Sequence, residues 1–203
     1  MKQRRRIFFF VTLLIGTICT EFGGRMNNFL GIAYAQEQDR DSKYIAPFVP
    51  SPQEVVDRML ELAEVSEGDL LYDLGSGDGR IVIAAARRYG AKAVGFEIDP
   101  ALVTDSQRNI KEAGMEHLAE IREQDIRTVD FSPASVVTMY LYPGANLRLR
   151  AALMRQLKPG SRVVSHDFSM GDWKPDRVER VTDSAGSLRT IYLWRIRERS
   201  SRD

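Results

Sequence analysis

The chain has 203 residues, 29 basic against 28 acidic, and 43% of it is hydrophobic. That length and apolar fraction suit one full-sized globular core with an appendage and exclude a mainly disordered chain. A charge this close to balance gives no support to nucleic-acid binding, which draws on a basic surface.

The appendage is the N-terminus, where MKQRRR precedes an apolar run from Ile7 to Thr20. At roughly 14 residues, the run is short of the ~20 that span a bilayer comfortably. With Ala33, Tyr34 and Ala35 further on, it resembles a secretory signal peptide cut after Ala35, although the polar stretch from Glu21 to Asn28 is longer than such signals carry. Arg5, Arg6 and Phe8 also resemble a twin-arginine export signal, with Arg4 standing where that pattern prefers Ser or Thr. An uncleaved membrane anchor stays open beside cleavage. Either way the expectation is an exported or membrane-anchored protein, with membrane association through residues 7–20. Residues 1–35 hold five of the 29 basic and one of the 28 acidic residues, so the remainder stands at net −3. No nucleic-acid partner is expected. Cys19, the single cysteine, lies in this leader, and His117 and His166 are far apart in sequence, so no metal site is expected.

Residues 36–43 are polar and read as a linker. Pro47, Pro50 and Pro52 then hold the chain extended before a helix from about Ser51, with Val55, Val56, Met59, Leu60 and Ala63 on its apolar face. A strand is predicted over Leu70–Leu74, followed by a glycine turn and an alanine-rich helix from Arg80 to Arg88. A second strand spans Ala93–Ile98, with a helix after it; a third covers Ala119–Ile126 and a fourth Ala134–Tyr142. A helix over Asn146–Leu157 ends at Lys158, Pro159 and Gly160, and a fifth strand runs from Ser161 to Phe168. Two last strands, Asp176–Ser184 and Leu188–Arg197, form an antiparallel pair through Ser184–Ser187. Strands alternating with helices predict an α/β fold. It is a Rossmann-like, seven-stranded, mostly parallel sheet with helices on both faces and an antiparallel last strand. The division is residues 1–35 as signal or anchor, 36–50 as linker and flap, and 51–199 as the α/β domain.

In such sheets ligands bind at the carboxyl ends of the strands. Gly75, Gly77 and Gly79 sit at the first strand-to-helix turn, where backbone N–H groups can meet a nucleotide with no Cβ in the way. Asp73 ends the first strand, Glu97 the second, and Asp125 follows the third. Glu97 lies about 20 residues past the turn, the offset at which a carboxylate accepts from ribose hydroxyls. A dinucleotide fingerprint would put its third glycine at position 80, where this chain has Arg80. A nucleotide-dependent oxidoreductase is therefore the runner-up, and a non-catalytic adenosyl-ligand-binding domain at the membrane is the alternative from another class.

The pattern DLGSGDGR followed by GFEIDP resembles the class I S-adenosylmethionine-dependent methyltransferases over about residues 44–197. With YIAPFVPSP and RVVSHDF, it further resembles the small membrane-associated protein-lysine methyltransferases. These include mitochondrial enzymes acting on the ATP synthase c subunit and the adenine nucleotide translocase, with bacterial relatives. The resemblance implies S-adenosyl-L-methionine as cofactor and N-methylation of a lysine in a protein substrate, a membrane protein among the options. It places Asp73, Gly75 and Gly77 around the methionine part of the cofactor, Glu97 on the ribose, Asp125 on the adenine amino group, and Ile98 and Ile126 beside the adenine ring. Tyr44, Pro47, Phe48 and Pro50 would form an N-terminal flap. Tyr140 and Tyr142 after the fourth strand, and His166 with Asp167 at the end of the fifth, are the candidates for shaping the acceptor pocket or holding a proton. The Asn- or Asp-Pro-Pro-aromatic motif of amide- and adenine-directed relatives is absent; Tyr140, Leu141, Tyr142 and Pro143 stand in its place.

Overall fold

The structure, a computed structural model, describes residues 48–198. These belong to the second of two compact units, Lys43–Asp203. The leader, Tyr44 and Pro47 lie outside the described residues.

Helix α1 (Gln53–Leu62) follows Pro52 and buries Val55, Val56, Met59 and Leu60 of the stripe read from the sequence, together with Leu62; Ala63, the stripe's last member, is the buried cap just past the helix. Strand β1 (Leu70–Leu74) leads through the glycine turn into α2 (Arg80–Tyr89), which stops at Gly90 in a left-handed conformation, φ +67°. Next come β2 (Lys92–Glu97) and α3 (Pro100–Glu112), started by Asp99, whose side chain accepts from the Ala101 N–H with Pro100 in the first turn. Strand β3 (Ala119–Glu123) is shorter than the predicted one, because Asp125 caps a 3-10 turn over Ile126–Thr128 instead of continuing the ladder. Strand β4 (Val136–Met139) likewise ends early: Pro143 opens helix α4 (Pro143–Gln156) one turn before the predicted start, and Tyr140 to Tyr142 become its lead-in. Strands β5 (Arg162–His166), β6 (Arg177–Thr182) and β7 (Leu188–Arg195) complete the set.

The seven strands lie in the order β3-β2-β1-β4-β5-β7-β6. All neighbours from β3 to β5 pair in parallel, and β7 runs antiparallel to both β5 and β6. Period-two alternation divides the core between the two faces. Leu71 and Val136 pack with α1 and α2 on one side, while Leu74, Val137 and Met139 pack with Leu149, Leu153 and Trp194 on the other. Connections leave β1 toward β2 and β4 toward β5, so the sheet changes winding direction between β1 and β4. The carboxyl ends of those two strands open the crevice where such sheets bind ligands.

Candidate functional site

One residue row crosses that crevice: Gly95 of β2, Asp73 of β1 and Thr138 of β4 are register partners. Thr138 donates its hydroxyl to Asp73 Oδ1 at 2.8 Å, and both residues are buried. Burial pushes the Asp73 carboxyl up to about 7; the Thr138 hydrogen bond opposes this, and the Glu97 and Asp78 carboxylates add to it. A buried carboxylate held against its own ionisation is a receptor for a cationic ligand group, whose charge supplies the missing stabilisation.

Beyond Asp73 the chain turns with Gly75 at φ +73° and Gly77 at φ +54°, conformations that only glycine adopts without strain. Ser76 between them is buried, and its hydroxyl has no hydrogen-bond partner. It sits over Gly95, where an added Cβ would lie 2.6 Å from Ser76 Oγ. Gly95 therefore makes the room that the turn needs, a role invisible in a strand pattern. Glu97 ties the second strand end to this turn: Oε2 accepts from the Gly77 N–H at 2.9 Å, and Oε1 accepts from Ile98 N at 2.8 Å and Asp99 N at 3.0 Å. Three of a carboxylate's roughly four acceptor positions are thus filled by backbone, which orients the remaining one.

The third acid, Asp125, accepts from the Arg127 N–H at 2.9 Å and pairs with the Arg127 guanidinium at 2.5 Å, which holds its carboxyl below the usual range. Ile98 is partly exposed beside this row, whereas Ile126 is buried among Phe96, Val129 and Phe131. Together the bare glycine backbone, the unpartnered Ser76 hydroxyl and three acids at successive strand ends form a donor and acceptor set that fits a nucleoside carrying a cationic amino-acid arm. Among the described residues, no cluster of His, Cys, Asp and Glu could hold a metal ion.

Of the residues expected in a flap, Phe48 and Pro50 are described, and Phe48 lies against this cradle. An added Cβ on Gly77 would lie 2.3 Å from Phe48 Cε2, so the Phe48 ring rests directly on the turn, with Pro50 exposed after it. Ser51 fastens the segment at two points. Its carbonyl accepts from Arg80 Nη1 at 2.7 Å, and its hydroxyl meets His166 Nδ1 at 2.9 Å. His166 is fully enclosed; burial drives its basicity down to about 4, so the ring is neutral. Nε2 lies 3.3 Å from Asp167 Oδ2 without hydrogen-bond alignment. A ring of such low basicity is a weak acceptor for a proton from an ammonium group. Its place is to anchor Ser51 and to stack beneath Tyr140, ring centroids 3.8 Å apart. Tyr140 is half-buried, and burial followed by the Asp167 carboxylate raises its phenol, which stays a neutral donor. Tyr142 is 47% exposed at the start of α4, facing Phe168 edge-on. Sequence reasoning singled out Tyr140, Tyr142 and His166 but not Ser51, Gly95, Thr138 and Phe168, whose contacts are with partners 26 to 115 positions away or follow from cross-strand register.

Comparison with known proteins agrees with this geometry. Residues 73–177 match the ANTKMT methyltransferase domain. A protein-lysine N-methyltransferase of Saccharolobus islandicus is 46% identical over 154 residues, covering 75% of this chain and 94% of that one. The human lysine N-methyltransferase of the ATP synthase c subunit is 37% identical over 136 residues; the match covers 67% of this chain and 58% of the human one. A crystal structure described as an RNA methyltransferase from Salinibacter ruber, in complex with S-adenosyl-L-homocysteine, superposes with a TM-score of 0.70 at 56% identity. It covers 76% of this chain and 98% of that one. Fold and site together define an S-adenosylmethionine-dependent methyltransferase of the Rossmann-like class. The chain belongs to the ANTKMT methyltransferase-domain family, whose model spans its row of acids, its glycine turn and both site tyrosines.

Proposed function

We propose that the enzyme transfers a methyl group to the ε-amine of lysine in a protein. The observation that carries this reading is the 46% identity to a protein-lysine N-methyltransferase of which the match covers 94%. Bound S-adenosylmethionine supplies a methyl group on a sulfonium, so the protein has little covalent work to do. Its residues must align a neutral amine and keep the path dry. Asp73, Ser76 and Glu97 would hold the cofactor, and Phe48 covers the turn against water. Tyr140, a neutral phenol fixed on the His166 ring, offers an oxygen toward which the amine can point. A half-buried mouth favours loss of the lysine proton, since desolvation penalises the charged amine.

One observation favours a second acceptor, RNA: the description of the 56% identical structure. Charge opposes it. Residues 36–203 carry net −3, a balance that gives a polyanion no electrostatic draw. The test offers tritiated cofactor with total protein and total RNA from one cell extract. Label in the protein fraction supports the reading, and label in RNA replaces it.

The proposed setting is a membrane, with a membrane protein among the substrates. Among the described residues no helix is long and apolar enough to cross one. The support lies in the leader, whose basic start and apolar run at residues 7–20 suit export or anchoring, and in the relatives named for the ATP synthase c subunit and the adenine nucleotide translocase. Fractionation of cells expressing the full chain tests this: recovery in the soluble cytosol contradicts it.

A further inference from the structure

Phe168, the second residue after β5, is held with more structure than a surface aromatic needs. Asp167 before it adopts a left-handed backbone, φ +57°, rare for a residue with a side chain. That conformation is fixed from several directions. The Asp167 N–H donates to the Thr190 carbonyl at 2.7 Å, the Thr190 N–H donates to Asp167 Oδ1 at 2.8 Å, and Arg189 lies 3.4 Å from Oδ2. The Phe168 N–H donates to the His166 carbonyl at 2.7 Å, closing a tight turn. Its carbonyl accepts from Ser165 Oγ at 2.7 Å and from the buried Asn146 amide at 3.1 Å. Backbone held in a sparsely populated region by this many ties marks a side chain whose direction matters.

That direction is toward the two site tyrosines. Phe168 lies parallel to Tyr140, centroids 6.0 Å apart, and edge-on to Tyr142 at 6.2 Å. Tyr140 is stacked on His166, and Tyr142 is 47% exposed, so the three rings make a wall whose inner end is fixed and whose outer end is open to solvent. The wall stands at the ends of β4 and β5, beside the Asp73–Thr138 pair at the switch point. An aliphatic stem can slide along such faces while its terminal ammonium interacts with the ring quadrupoles until it gives its proton to water at the open end.

We propose that Phe168 is a specificity-determining residue that, with Tyr140 and Tyr142, receives the lysine side chain and guides its amine to the cofactor. This inference rests on the protein-lysine reading above. It concerns acceptor binding, so its signature is a rise in half-saturation rather than a loss of cofactor affinity.

The experiment measures tritium transfer into lysine by the full-length chain, with extract protein as the titrated acceptor, for wild type, Phe168→Leu and Phe168→Tyr. S-adenosylhomocysteine affinity and melting temperature are measured alongside. Phe168→Leu keeps the apolar bulk and removes the ring. Its half-saturation concentration rises about tenfold while the limiting rate stays within about threefold, the scale of one lost cation–ring contact. Phe168→Tyr, which restores an aromatic face, recovers most of that loss. If Phe168→Leu matches wild type while wild type labels lysine, the wall is not used and the lysine reading survives. A parallel fall in limiting rate, cofactor affinity and melting temperature would make Phe168 merely structural and overturn the proposal. Label that never appears in lysine removes the lysine reading and this inference with it.

Discussion

Replacing Asp73 by Asn should stabilise the ligand-free protein and abolish its response to cofactor. The carboxyl is pushed from 3.8 to about 7 inside the fold, chiefly by burial. At about 1.4 kcal/mol per pKa unit, the ~3-unit shift corresponds to a destabilisation of order 4 kcal/mol once the group is ionised in both states. The sign follows from proton uptake. Below about pH 4 both folded and unfolded chains hold the proton and the group costs nothing. Between about pH 4 and 7 only the folded chain holds it, so stability falls as pH rises, and above the folded value the loss is complete. Asn keeps an oxygen for the Thr138 hydroxyl and never ionises. Urea unfolding of the full chain without ligand, from about pH 5 to 8, should show the variant gaining on wild type with pH and leading by several kcal/mol at the top. S-adenosylhomocysteine at about 100 times its dissociation constant should add ~2.7 kcal/mol to wild type alone. A stability difference independent of pH, or an Asn variant weaker than wild type at pH 8, would refute the account of Asp73 as a strained receptor for cationic charge.

Gly77→Ala puts a methyl group at φ +54° and into the Phe48 ring. It should cost about 1–2 kcal/mol of stability and at least tenfold in S-adenosylhomocysteine affinity, read by calorimetry. Ser51→Ala removes the partner of buried His166 Nδ1 and one of the segment's two ties, leaving the carbonyl bond from Arg80. A loss of about 1–3 kcal/mol should accompany faster release of bound S-adenosylhomocysteine in stopped-flow displacement. Away from the site, Asp69 pairs with Arg162 at 2.8 Å. Burial works against its charge, but hydrogen bonds from Arg162, Ser135 and Ser66 outweigh that and hold its carboxyl below the usual range. Asp69→Ala should therefore cost about 3–5 kcal/mol near neutral pH, because the Arg162 charge loses its partner. The wild type's advantage should shrink as pH falls below about 4 through the depressed folded value, which acid titration of urea midpoints would follow.

The fold was legible because its local signals agree with one another. Apolar strands of four to eight residues alternate with amphipathic helices, and the glycine turn and Gly90 sit where the backbone goes left-handed. The misplaced boundaries have local causes of their own. Gln124 to Ile126 look like strand continuation, yet the Asp125 side chain captures the Arg127 N–H and turns the chain. Asn146 looks like a helix start, but Pro143 supplies one earlier. On the cofactor side, motif spacing was enough to bring Asp73, Gly75, Gly77 and Glu97 to one place. On the acceptor side it was not. The Ser51–His166 bond joins residues 115 positions apart, and the Asp167 conformation that aims Phe168 has no composition cue, since it is imposed by β7 through Thr190 and Arg189.

The most direct test of the central claim is the chemical identity of the methylated product. The full chain is incubated with tritiated S-adenosylmethionine and extract protein, the protein is hydrolysed to amino acids in acid, and the label is separated by chromatography. The account predicts label in methylated lysine, absent when Glu97→Ala replaces the wild type. Label in any other amino acid, or undiminished lysine label with Glu97→Ala, would contradict it.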